Sequence, residues 1–242
     1  MKTTKICIAA TAVAAAAICA FAAPNARQKK AAAAAAAEEP QAEPVGVNVS
    51  QFPRMGRAAT FKAPEVNGST NIGKCWKKPR SWIVLEAKYE TTARWTDRLV
   101  FTWHVLLETK SATEKNRDDR AKLAPYSYLT QSVTYVNIPK GTHAASVCLP
   151  PSYLERYGEP KAVGLVIANS NGETLYGDVE SEIKGIASHP KKMEDAFWEN
   201  KEVMEAKTKS GEPMIETRQG LVDRSKTIWA IVNPNDYETV AE

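Results

Sequence analysis

The sequence predicts a mainly β protein, a two-sheet β-sandwich with one late helix, and three observations carry that prediction. Residues 81–109, SWIVLEAKYETTARWTDRLVFTWHVLLET, alternate apolar and polar side chains: Leu99, Phe101, Trp103, Val105 and Leu107 interleave with Arg98, Thr102, His104 and Glu108. That period of two gives a sheet one buried face. Further β-like runs recur between Pro/Gly/Asn turn signals, the spacing of a sandwich rather than of an alternating βα fold. Only after Pro190 does the apolar period become helical.

The chain opens with MKTTKICIAATAVAAAAICAFA, in which Lys2 and Lys5 precede an apolar run that ends in Ala20-Phe21-Ala22. Basic start, apolar middle and small-x-small end are the marks of a secretory signal over residues 1–22, with a retained membrane anchor as the alternative. Residues 23–45 hold seven consecutive alanines between Lys29-Lys30 and Glu38-Glu39, and then Pro40 and Pro44. Those charges oppose a helix dipole, and the prolines close the stretch, so a tether is expected. Residues 46–242 then form one domain of about 200 residues, long enough to bury roughly 70% of its unfolded surface.

Within that domain, Val45–Val49 and Ala59–Lys62 read as edge strands or irregular cover among Pro53, Pro64 and Gly68. Ile83, Leu85, Ala87 and Tyr89 alternate with Glu86 and Lys88, which predicts a first central strand joined to the 98–108 strand by a polar turn. Lys110–Lys122 has no apolar period and reads as a solvated loop or short helix. Strands follow at Tyr126–Ile138 and Thr142–Leu149, divided by a Pro139-Lys140-Gly141 turn. Pro150–Gly158 has proline at the start and glycine at the stop of a short helix. Asn171-Gly172 between two β-like runs predicts a hairpin. Met193, Ala196, Phe197 and Met204 share one side of a helix near 191–207, and Thr227–Val232 reads as a last strand.

Composition narrows the function. The formal charge is +4, or +2 once Lys2 and Lys5 leave, too small to support nucleic-acid binding. No second apolar stretch reaches the length of a membrane span, so none is expected after processing. Cys75 and Cys148 remain after the signal, and in an oxidising compartment an isolated pair forms a disulfide; two buried thiols are the alternative.

No catalytic set is visible. His104, His143 and His189 fall in no ligand pair, so no metal is expected and the first two read as partly exposed strand histidines. There is no nucleophile elbow and no phosphate-binding glycine loop, and therefore no cofactor is expected. Asp118-Asp119, Asp178/Glu180/Glu182 and Glu194-Asp195 offer carboxylates for glycoside hydrolysis or calcium, but acid/base work needs a fixed separation that sequence does not reveal. Of six tryptophans, Trp103 and Trp229 lie in apolar runs and Trp198 in the late helix. Trp76, Trp82 and Trp95 remain as an exposed aromatic patch for binding.

A sandwich with core Trp103 and the pair Cys75/Cys148 resembles an immunoglobulin-like domain, with two departures. Cys75 precedes the first strong strand, and Ser146 stands where that family has tyrosine, so the bridge need not be the inter-sheet one. The signal, the Ala-rich linker and the SWIVLEAKYE…RLVFTWHVLLE core together resemble an exported immunoglobulin-like protein encoded beside type IV pilus components in Akkermansia-type bacteria. That resemblance implies a binding or assembly module exported to the periplasm, outer surface or medium. Its partners would be envelope or pilus proteins, or a host or mucus glycoprotein. It carries over no site residues. The competing expectation is a secreted carbohydrate-binding or glycan-active protein.

Overall fold

Two long strands organise everything else. The chain divides into two units, residues 1–42 and 43–242, and the computed structural model describes residues 46–55, 59–62, 80–109, 123–232 and 238–240 of the second. The expected signal and linker, Cys75, Trp76 and Lys110–Lys122 lie outside the described residues. In chain order the strands are β1 (Val47–Gln51), β2 (Ala59–Lys62), β3 (Ser81–Glu108), β4 (Tyr126–Leu149), β5 (Glu159–Asn169), β6 (Thr174–Ser181), β7 (Ile215–Arg218), β8 (Val222–Asp223) and β9 (Glu238–Val240). Among the described residues three short α-helices join them: α1 (Pro151–Tyr157), α2 (Lys201–Met204) and α3 (Trp229–Val232).

The protein is mainly β, and among the described residues all nine strands share one sheet with the path β6-β5-β3-β4-β7. β1 and β2 pair with β3, and β8 and β9 with β4. Every pairing is antiparallel except β4 with β7.

The expected reversal inside 81–109 does not occur. β3 is one strand of 28 residues, and its hairpin partner is β4, of 24. Straight, β3 would extend about 90 Å, so it has to bend. The bend falls where the β3–β4 register breaks, between Thr91 and Trp95, opposite Pro139. Proline has no N–H to give the ladder, and its carbonyl turns to side chains instead. The Thr91 hydroxyl donates to the Pro139 oxygen over 2.8 Å, and His143 Nε2 lies 2.7 Å from it. Pro139-Lys140-Gly141, expected as a chain reversal, is thus a corner inside a continuous strand.

Past the bend the two halves of β3 face each other. Leu85, Ala87 and Tyr89 bury against Leu99, Phe101, Trp103, Val105 and Leu107, and β4 adds Leu129, Val133, Tyr135, Ala145, Val147 and Leu149. The Tyr89 and Phe101 rings lie 4.9 Å apart, and Phe101 meets Tyr135 edge-on at 5.1 Å. The 99–107 alternation therefore points into the main core as the sequence predicts.

Helix α1 and the Asn171-Gly172 hairpin form where expected. Gly172 takes φ +80, and the Asn169 carboxamide oxygen accepts from the amides of Asn171 and Glu173. Two other elements differ. The 191–207 helix is replaced by a 3₁₀ turn, Met193–Asp195, and the single-turn α2. That segment lies on the outer face of the sheet, over Leu106, Tyr128, Ala162 and Val179. Glycines in the strands shape it: a Cβ on Gly164 would stand 2.0 Å from the Trp198 ring, and one on Gly177 2.1 Å from the Met193 sulfur. Side chains seated in those two hollows override the helical period.

The 227–232 strand is replaced by a 3₁₀ turn, Arg224–Lys226, and then α3. The Asp223 carboxylate accepts from Ser225 N at 3.0 Å and Ser225 Oγ at 2.6 Å, which starts the turn. The five-residue apolar run Ile228–Val232 does not by itself distinguish strand from helix.

Candidate binding groove

An open groove of about 510 Å³ runs between the end of β1, the β2–β3 pair and the margin of β6. Ser50–Arg54 wall one side, Phe61, Val84 and Glu86 another, and Glu180 and His189 close it. A register shift between Val49 and Gln51 bends the end of β1 away from the ladder and sends Pro53 into a buried position.

Aromatic side chains collect at one end. Phe61 stands opposite Trp82 in the β2–β3 register, so the two share a face. Trp229 of α3 meets Phe61 at 5.7 Å between centroids. Phe61 remains 46% exposed, and neighbouring Ile228 is exposed as well, the kind of apolar patch that a partner covers.

The other end is ionic. Tyr176, Asp178 and Glu180 alternate along β6 onto one face. His189 Nδ1 lies 2.9 Å from both Asp178 oxygens, and Nε2 lies 3.2 Å from Glu180. The Tyr176 hydroxyl donates to Asp178 at 3.2 Å, and burial, with that carboxylate beside it, pushes its pKa upward. With both ring nitrogens engaged, His189 acts as a clamp rather than a free general base.

The same loop guards the edge of β6. His189 N donates to Val179 O at 2.8 Å, Ser181 N to Ser188 Oγ at 2.9 Å, and Val179 N to the Asp178 carboxylate at 2.8 Å. Those groups are closed to an added strand, so the groove, and not this edge, is the accessible surface. Among the described residues no group of three or more His, Cys, Asp or Glu side chains is arranged to hold a metal.

The expected patch of Trp76, Trp82 and Trp95 is only partly described. Trp82 stands beside the groove residue Phe61 and is half-buried; Trp95 is 59% exposed at the bend. Trp82 adjoins the Ile83–Leu149 pair and Trp95 lies opposite Pro139, about 43 Å apart along the strand. These two do not form one patch. Phe61, the aromatic missed by sequence reasoning, sits in a four-residue strand whose register with Trp82 is a tertiary fact. The acids of β6 were visible as an alternation, but nothing near 189 in sequence signals that its imidazole returns to them.

His104 and His143, expected to be partly exposed, are buried. The outer face that carries His104 is covered by Trp198, whose ring stacks on the imidazole at 3.9 Å. His104 Nδ1 lies 2.6 Å from the Tyr128 hydroxyl, and burial holds its pKa down at about 4. Cys148 is buried with a free thiol, pushed up to about 11, first by burial, with Thr227 and Arg224 opposing.

Among the described residues no helix is long and apolar enough to cross a membrane. No curated protein matches the chain. A crystal structure of a protein from Akkermansia muciniphila matches with a TM-score of 0.54 at 19% identity, covering 84% of this chain and 97% of that one. That likeness shows a shared fold. A protein-family model spans residues 54–239, and the chain is a member of that family.

Proposed function

We propose that this protein is an exported, non-enzymatic binding or assembly module of the bacterial envelope, associated with type IV pilus components, that holds a protein segment in the groove beside Phe61. The reading rests on one observation above the others: Phe61 stays exposed at the centre of a Phe61/Trp82/Trp229 cluster at the groove's end. Aromatic anchors with a polar rim supply most of the affinity in protein interfaces. Arg54, Glu86, Glu180 and His189 form the rim here. Export and the tether of residues 23–45 would present the groove away from a surface. The bend of β3, which sets two layers face to face, would serve as the sandwich of an immunoglobulin-like domain, and Cys148, whose thiol is free in this structure, would be bridged to Cys75 once the exported protein is oxidised.

Crosslinking in the native cell, followed by mass spectrometry, tests the proposal. Pilus or other envelope proteins should be recovered, and Phe61→Ala with Trp82→Ala should reduce their capture at least tenfold, as loss of an anchor does. No partner, together with glycan cleavage abolished by Glu180→Gln, would replace the module with an enzyme.

A further inference from the structure

Beyond the groove, a second surface lies at the corner of β3 and β4. Trp95 stands there directly opposite Pro139, 59% exposed, a degree of exposure unusual for an indole. It is not a floppy tip: Trp95 lies within β3, between the buried Ala93 and Thr96, and the corner is pinned by the bonds to the Pro139 carbonyl. The backbone that carries the ring is therefore held, so little main-chain freedom is lost when something settles on it.

Charge collects around it. Arg94 adjoins Trp95, Arg98 follows three residues on, and Lys140 adjoins Pro139 across the pair; all three are exposed. None of them makes an ion pair among the described residues. Asp97 is the single acid within the 94–98 stretch, so the exposed residues of the corner carry a net positive charge beside the indole.

We propose that this corner binds an anionic saccharide, with a sugar ring stacked on Trp95 and a sulfate or carboxylate held by Arg94, Arg98 and Lys140. The electron-rich face of indole attracts the partly positive C–H face of a pyranose. Arginine's planar fork matches two oxygens of a sulfate or carboxylate, and lysine adds a point charge. An acidic lipid surface offers the anion but no ring to stack, and a platform embedded in a strand cannot plunge into a bilayer as a loop-tip tryptophan does.

The test titrates the full chain with a heparin hexasaccharide, sialyllactose, neutral lactose and phosphatidylglycerol vesicles. Binding to the sulfated or the sialylated probe is expected, with none to lactose, and the stronger of the two identifies the anion. Trp95→Ala should weaken that binding at least tenfold, with Trp95→Phe falling between. The Arg94→Gln/Arg98→Gln pair should weaken it comparably and flatten its salt dependence. Unchanged thermal melting of these exposed-site variants separates the effect from misfolding. Failure of both anionic saccharides to bind would overturn the proposal, as would indifference to Trp95→Ala or Trp95-dependent binding to the vesicles alone.

Discussion

Gly164 shows how much one missing methyl group decides. Trp198 occupies the space that a Cβ there would fill, and the indole has no escape, because His104 stacks on it and Phe197 meets it edge-on at 4.9 Å. Gly164→Ala should cost about 1–3 kcal/mol, the usual range for overpacking a filled site, read as a lowered urea midpoint with an unchanged slope. His104 gives a second handle. Its imidazole is held neutral down to about 4 in the fold, whereas the unfolded chain takes up a proton near 6.5. Stability from this site is therefore complete above about pH 6.5 and is lost as pH falls towards 4, by roughly 3 kcal/mol. Urea midpoints measured between pH 7 and 4 should fall in the native protein and fall less in His104→Phe. Neither effect could be read from sequence. Trp103 announced its burial through its neighbours' period, but His104 lies on the face opposite, and only the distant Trp198 decides that this face is covered.

At the scale of elements, the alternation legible in 81–109 was right about faces and wrong about direction. Polar residues at 90–98 look like a turn, yet the same residues fit a bend whose outer side meets solvent. Local composition does not distinguish the two, because the answer depends on whether β4 arrives to pair across the corner. The late helix failed for a related reason: its apolar side chains answer hollows at Gly164 and Gly177, not their own period. The groove was less legible still, since Phe61, Trp82, Glu180 and His189 come from elements that only tertiary pairing joins. The proposed bridge belongs to this scale as well, tying β4 to the chain between β2 and β3. Alkylation of denatured, natively exported protein without reductant should add no label to Cys75 or Cys148. Two labels would mean free thiols and remove the bridge.

For the whole molecule, topology sets the tempo. Glu108 pairs with Tyr126, but Ile83 pairs with Leu149, so the ladder closes progressively larger loops as it zips. Such non-local pairing places folding in the range of milliseconds to seconds. Stopped-flow refolding should fall there, and hydrogen exchange should be slowest at Leu99–Leu107 and Leu129–Tyr135, where β3 is flanked on both sides. Exchange fastest in those segments would contradict a sheet centred on β3. That the protein is mainly β could be read from its sequence in outline; that one sheet curls over itself could not, because the curl is made by a register break between residues more than forty positions apart.

The face-to-face stack of His104 on Trp198 also gives the protein an internal optical gauge. An imidazolium in contact with an excited indole drains its emission by electron transfer, while a neutral imidazole does so far less. Trp198 therefore glows while His104 is uncharged and dims when a proton reaches it. Trp95, 59% exposed to water, emits to the red of this half-buried indole. With six tryptophans in the chain, the pH-dependent part of the emission, read against His104→Phe, isolates the signal of the outer face from the rest.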